Sequence, residues 1–183
     1  NAATLDLLDH AANLYPVAAN ARQDADQNLF GPQGVPLWLN YFHNDNLTYG
    51  VNNWVAAVVA ADHLSSRPRL RILELGAGTG SGTEILLKLL DEQGLLPRLE
   101  RSVVTEPNSP FLRCNQRKLS AQFPYAPLEW ATLDLYLPLT SQCISLATLD
   151  LVYAINVMHI SNNLPFNFNE ADTRLAAACW HVA

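Results

Sequence analysis

Apolar residues group into short runs that alternate with longer amphipathic segments. The short runs, rich in leucine and β-branched residues, lie within 71–75, 102–106, 128–133 and 149–156. Between and after them, apolar positions recur with helical spacing, which predicts helices over Thr83–Gln93, Pro110–Phe123 and Asn167–Val182. This alternation of strand and helix predicts an α/β fold whose parallel strands are joined by right-handed crossovers.

The residues before the first run follow no strand pattern. Thr4–Tyr15 and Asn46–Leu64 repeat apolar residues with helical spacing, at 5, 8, 12 and 15 and at 47, 51, 54, 55, 58 and 59. We therefore expect an N-terminal helical cap over residues 1–66 and an α/β core over residues 67–183.

Four glycines at every second position follow the first run, where Arg71–Glu84 reads RILELGAGTGSGTE. Glycine accepts a positive φ and has no Cβ, so such a turn lets a ligand approach the backbone at a helix N-terminus. The dinucleotide spacing G-x-G-x-x-G is not met, because the third glycine counted from Gly76 would be Ser81. Glu74, just before the turn, favours a cationic ligand over a pyrophosphate.

Charge and cysteine usage narrow the classes of partner. The formal charge of the 183 residues is −6 and only two of them are lysines, which argues against a nucleic-acid partner. No segment reaches the apolar length of a membrane span, and no signal peptide is visible. Cys114, Cys143 and Cys179 are odd in number and lack metal-ligand spacing, which indicates reduced thiols and a cytoplasmic protein without a metal site.

The acid-x-G-x-G-x-G pattern from Glu74 to Gly80 resembles motif I of the class I S-adenosylmethionine (SAM) methyltransferases. This resemblance implies SAM as cofactor and a Rossmann-like class I methyltransferase fold, with strand order 3-2-1-4 in the part present and an N-terminal helical cap. It implies that Glu106 holds the ribose hydroxyls, and that Asp134 accepts from the adenine amino group beside a backbone amide. The implied cofactor-binding residues are Glu74, Gly76, Ala77, Gly78, Gly80, Glu106, Pro107, Asp134, Leu135 and Asn156.

Two further stretches resemble bacterial small-molecule methyltransferases, including the C-methyltransferase domains of polyketide synthases. They are TEPNSPFLRCNQRKL after the second strand and LDLVYAINVMHISNNL around the fourth. The resemblance implies methyl transfer to a carbon or oxygen of a small molecule, within a larger multidomain synthase. It makes His159 the candidate general base. It also implies that the cap acts as a lid, in which His43 and Tyr49 are the candidates for substrate contact.

Two other functions stay open at this point. One is an NAD(P)-binding Rossmann oxidoreductase, and the other is a SAM-binding domain without catalysis, in which His159 only packs. Since the fold needs about seven strands and the chain begins at Asn1, we also expect a fragment that ends before strand five.

Overall fold

The computed structural model describes residues 2–20, 27–138, 141–142, 149–160 and 180–182. The helices are α1 (Ala2–Asn20), α2 (Gly34–Tyr41), α3 (Leu47–Ser65), α4 (Ser81–Glu92) and α5 (Ser109–Gln122). The strands are β1 (Leu70–Leu75), β2 (Leu99–Thr105), β3 (Leu128–Ala131), β4 (Leu151–Ala154) and β5 (Trp180–Val182). Single 3₁₀ turns lie at Leu96–Arg98 and Met158–Ile160.

The chain divides into two compact units, Asn1–Val51 and Asn52–Ala183. This boundary falls inside α3, so the role of residues 1–66 as a cap or lid stays a prediction. No helix in the described part of the chain is long and apolar enough to cross a membrane.

The strands form one parallel sheet in the order β3-β2-β1-β4-β5, which confirms the predicted order 3-2-1-4. The expectation that the chain ends before strand five is wrong, because Trp180–Val182 pairs with β4 from Val152 to Ala154. This pairing satisfies backbone groups along an edge of β4 that would otherwise be open. The predicted helix Asn167–Val182 is therefore wrong over its last three residues, and the rest of it lies outside the described residues.

Alternate residues of the central strands face two hydrophobic layers, as the two-residue period of a strand requires. On one face, Ile72 and Tyr153 pack with alanines of α3 and leucines of α4. On the other, Leu73 and Leu75 pack with Val103 and the residues around the ends of β3 and β4. The carboxyl ends of the strands are therefore packed against buried apolar side chains.

Helix α3 forms where the pattern predicted it, but the apolar stripe behind that prediction faces outward. Its six members are 40–74% exposed: Leu47, Val51, Trp54, Val55, Val58 and Val59. The buried face carries Ala56, Ala57, Ala60, Ala61 and Leu64. Small alanine side chains let a helix approach its neighbour closely, so the alanine face is the buried one. The larger apolar residues are expected to be buried because of their hydropathy alone.

Local signals set the ends of the next two helices. Gly94 takes φ +68° just after α4, and Leu95 N donates to Leu90 O at 2.7 Å, so a glycine ends the helix close to the predicted Gln93. Helix α5 begins at Ser109, one residue before the predicted Pro110, because Asn108 caps it: Asn108 Oδ1 accepts from Phe111 N at 3.2 Å.

Glu84 connects these two helices and receives both lysines of the chain. Its Oε1 lies 2.7 Å from Lys88 Nζ and its Oε2 lies 2.6 Å from Lys118 Nζ. Burial alone would raise the pKa of Glu84, but the hydrogen bonds from Lys118 and Lys88 outweigh it and lower the pKa to about 2. The carboxylate is therefore ionised over the physiological range and joins α4 to α5.

Candidate functional site

The turn after β1 depends on glycine in the way its spacing predicted. Gly76, Gly78 and Gly80 have φ of +62°, +56° and +75°, in the left-handed region that other residues rarely adopt. Gly80 N donates to Ala77 O, and Ala77 N donates to Thr105 O, each at 2.8 Å. The turn is thus closed on itself, tied to the end of β2, and leads directly into the N-terminus of α4.

Packing around the turn leaves one glycine open. A Cβ on Gly76 would lie 2.3 Å from Val157 Cγ2, and one on Gly80 would lie 2.8 Å from Asn115 Oδ1. A Cβ on Gly78 would meet nothing within 4 Å. Gly76 and Gly80 are therefore close-packed positions, and the surface at Gly78 is where a ligand has room to approach the backbone.

Glu106 joins the end of β2 to this turn. Its Oε2 accepts from Gly78 N at 2.8 Å and its Oε1 accepts from Asn108 N at 2.9 Å. Burial raises the pKa of Glu106, although the two backbone donors act against the shift. A carboxylate offers about four acceptor directions, so both oxygens keep capacity for hydroxyl donors of a ligand.

Glu74 is only 4% exposed and contacts the first turn of α4, where Thr83 Oγ1 donates to its Oε2 at 2.5 Å. Burial raises the pKa of Glu74 to about 7, and the charge of Glu106 adds to the shift. The carbonyl oxygen of Glu74 accepts from Thr105 Oγ1 at 2.6 Å. Its described contacts hold the turn and helix α4, and the predicted contact with the ligand stays a prediction.

Asp134 and Leu135 follow the end of β3. Tyr136 N donates to Asp134 Oδ1 at 2.8 Å, so the carboxylate closes a turn over its own backbone. Leu135 is 7% exposed and packs in the layer that supports the strand ends. The predicted adenine-contacting residues therefore lie in a fixed turn at this edge of the sheet.

The segment after β4 packs on the glycine turn. Asn156 takes a left-handed φ of +53°, and Val157 then turns inward against Gly76. His159 follows on a 3₁₀ turn with an exposed side chain. Pro107, after β2, is also exposed. The ends of β1, β2 and β4 are thus connected by direct contacts, whereas the roles predicted for Asn156, Pro107 and His159 stay predictions.

Sequence reasoning missed two polar residues that hold this region. Asn115 of α5 is fully buried, and its Nδ2 donates to Gly78 O at 2.7 Å. It lies between Phe111 and Leu119 at four-residue spacing. A polar residue in the middle of an apolar helix stripe indicates a buried hydrogen bond, and this pattern could have identified Asn115 from the sequence. The second is Gln142, whose side-chain amide hydrogen-bonds to both the backbone N–H and the carbonyl of Asp134. No pattern in the sequence around Gln142 indicates this contact.

His43 and Tyr49 lie in the N-terminal unit. Tyr49 contacts the rings of Phe42 and Tyr41 edge-on, with centroids 4.7 and 5.0 Å apart, and burial raises its pKa to about 12. His43 Nδ1 lies 3.2 Å from a carboxylate oxygen of Asp45. These contacts describe local packing, and substrate contact by either residue stays a prediction. Among the described residues, no group of three His, Cys, Asp or Glu could hold a metal ion.

Known proteins resemble both the sequence and the fold. A highly reducing polyketide synthase of Pyrenophora dematioidea is 37% identical over 97 residues, which are 53% of this chain and 4% of the synthase. The crystal structure of CurJ carbon methyltransferase matches 96% of this chain and 45% of its own, with a TM-score of 0.81 and 25% identity. The chain has a class I methyltransferase fold.

A second carbon methyltransferase, DszA, shares this methyltransferase fold, with a TM-score of 0.75 and 26% identity over 95% of this chain and 45% of its own. No family model matches the chain. The chain spans under half of each carbon methyltransferase structure and about 4% of the synthase.

Proposed function

We propose that this chain forms the cofactor-binding part of a SAM-dependent methyltransferase that methylates a carbon or oxygen of a small, polyketide-like acceptor. The similarity to two carbon methyltransferases favours carbon as the methylated atom. The similarity to polyketide synthases supports a place within a larger synthase.

The observation that carries this proposal is the contact between Glu106 and the open glycine of the turn. The carboxylate accepts from Gly78 N, beside the one glycine in the turn with free space where a Cβ would stand. A backbone amide already bonded to a carboxylate is a poor partner for a phosphate group, and the negative charge repels one. A cationic ligand with ribose hydroxyls to donate suits the same groups.

The residues at the strand ends each contact a different part of SAM. In our proposal Glu106 accepts from the ribose, Asp134 and the backbone at Leu135 contact the adenine, and the glycine turn with Asn156 surrounds the amino-acid portion. SAM, when bound, supplies a methyl group activated by its sulfonium. Positioning the acceptor in line with that group lowers the entropic part of the barrier. His159 takes a proton from the acceptor where the reaction requires one.

A matched pair of glycine variants tests the cofactor site. Gly78 and Gly94 both have a left-handed φ and free space for a Cβ, so alanine costs each a similar backbone strain. We expect Gly78→Ala to weaken binding of S-adenosylhomocysteine (SAH) at least ten-fold in calorimetry of the full-length protein, and Gly94→Ala to leave it unchanged. Equal affinities for the two variants would contradict the assignment of the site.

Two measurements separate this function from the alternatives. Titration of the same protein with NAD should give no binding, and tight NAD binding without a response to SAH would identify an oxidoreductase instead. The variant His159→Ala should lower methyl transfer while leaving the SAH dissociation constant unchanged. Unchanged turnover would remove His159 from catalysis. A wild-type protein that binds SAH in calorimetry but transfers no methyl group when supplied with SAM and a polyketide-like acceptor would indicate a silent domain.

A further inference from the structure

Gln142 forms a two-point contact with the turn after β3. Its Oε1 accepts from Asp134 N and its Nε2 donates to Asp134 O, both at 2.8 Å. Nε2 also lies 3.2 Å from Leu137 O and 3.4 Å from Pro138 O. One side chain therefore satisfies the backbone of Asp134 and faces two further carbonyls of the same loop.

The amide of Gln142 can make this contact in one orientation only. Its oxygen faces a backbone N–H and its nitrogen faces carbonyl oxygens. An amide rotated by 180° would place its NH₂ group against the N–H and its oxygen against the carbonyl oxygens, so none of these hydrogen bonds could form. Leu137 N donates to Asp134 O at 3.2 Å, and Ser141 N donates to Pro138 O at 3.0 Å, which brings Gln142 back over the turn. The path of the loop and the position of Asp134 are thus fixed by the same side chain.

We propose that Gln142 is a positioning residue for adenine recognition, which holds the Asp134 carboxylate and the following backbone amide at the spacing of the adenine edge. This inference rests on the proposed function, since it takes SAM as the ligand. The carboxylate of Asp134 is tied to the turn by Tyr136 N, so a shift of the backbone moves the acceptor with it. Gln142 itself need not touch the ligand.

The test compares two ligands in the full-length protein by calorimetry. SAH presents an amino group and an unprotonated ring nitrogen to the site, whereas S-inosylhomocysteine presents a keto oxygen and a ring N–H. The wild type should prefer SAH roughly a hundred-fold or more. The site accepts from the amino group and donates to the ring nitrogen of adenine, and both of these protein groups would be left unpaired against the keto oxygen and ring N–H of the analogue. Wild-type protein that fails to bind SAH would contradict the proposed function itself.

Gln142→Ala should weaken SAH binding roughly ten-fold, the scale of one or two lost hydrogen bonds, and should reduce the preference for SAH over the inosyl analogue by a similar factor. Gln142→Glu keeps the length of the side chain but places an oxygen against the Asp134 carbonyl, so it should behave like the alanine variant. Gln116→Ala, at an exposed glutamine of α5, is the matched control and should change neither value.

A purely structural role for Gln142 has a different signature. The affinities for both ligands would then fall together and the preference for SAH would stay at its wild-type value, which would overturn the proposal. An unchanged SAH affinity in both Gln142 variants would also overturn it. Circular dichroism of each variant confirms that the binding data come from folded protein.

Discussion

The buried carboxyl group of Glu74 should make the stability of the protein fall as pH rises. Glu74 is 4% exposed and its pKa is raised to about 7 from an ordinary value of 4.5, chiefly by burial. Replacing it by glutamine removes the titration. It also retains an oxygen that can accept from Thr83 Oγ1, which is the described partner of the carboxylate.

The sign and size of the effect follow from proton linkage. Between pH 4.5 and 7 the folded state holds a proton at Glu74 that the unfolded state has lost, so the free energy of unfolding decreases as pH rises through this window. A shift of the pKa from 4.5 to about 7, at about 1.4 kcal/mol per pH unit, corresponds to about 3 kcal/mol at most above pH 8. Below pH 4 both states are protonated and the effect disappears.

Urea denaturation at pH 4, 6 and 8 measures this contribution for the wild type and Glu74→Gln. Histidines titrate in the same range, so the informative quantity is the difference between the two proteins at each pH. We expect the variant to gain up to about 3 kcal/mol over the wild type between pH 4 and pH 8. The exposed Glu92, at the end of α4, supplies the control variant Glu92→Gln, which should show no such trend. Parallel pH profiles for wild type and Glu74→Gln would refute the reasoning.

Three further substitutions test other parts of the fold by denaturation. Glu84→Gln should lower the free energy of unfolding by only about 1–2 kcal/mol at pH 7, because solvent screens the charges of the half-exposed lysines. This difference from the wild type should vanish as pH falls from 4.5 towards 2, and a difference that does not change with pH would contradict its ionic origin. Gly76→Ala should cost at least about 2 kcal/mol more than Gly94→Ala, since only Gly76 abuts Val157; equal costs would deny that packing. Tyr153→Phe should be neutral or stabilising by up to about 1 kcal/mol, because the buried hydroxyl has no partner among the described residues; a large loss would reveal one.

The sequence predicts those parts of the site that depend on one short segment. The first three of the four glycines after β1, Gly76, Gly78 and Gly80, adopt left-handed φ values, a local requirement that only glycine meets easily. Glu106 and Asp134 follow strands whose parallel direction is predicted by the alternation of strand and helix, so both lie at the carboxyl edge of the sheet. The ends of strands and helices differ from their predicted positions by a few residues; α5, for example, begins at Ser109 rather than Pro110 because Asn108 caps it.

The parts that the sequence did not predict depend on partners distant in the chain. Gln142 is a polar residue in a polar loop, and only the folded turn gives it Asp134 as a partner. The outward apolar face of α3 shows that hydropathy alone does not select the buried side, since the alanine face allows closer packing. The last strand, Trp180–Val182, is defined by pairing with β4 rather than by its own short pattern.

The convergence of both lysines on Glu84 has a practical consequence for chemical modification. The chain holds no other ε-amino groups, so the modification of lysine by acylating or carbamylating reagents is confined to one place in the fold. Each modified amine would remove one of the two charges that compensate a nearly buried carboxylate. Cyanate in aged urea would therefore lower the apparent stability by opening the contact between α4 and α5, and an amine-linked fluorophore would report on that contact.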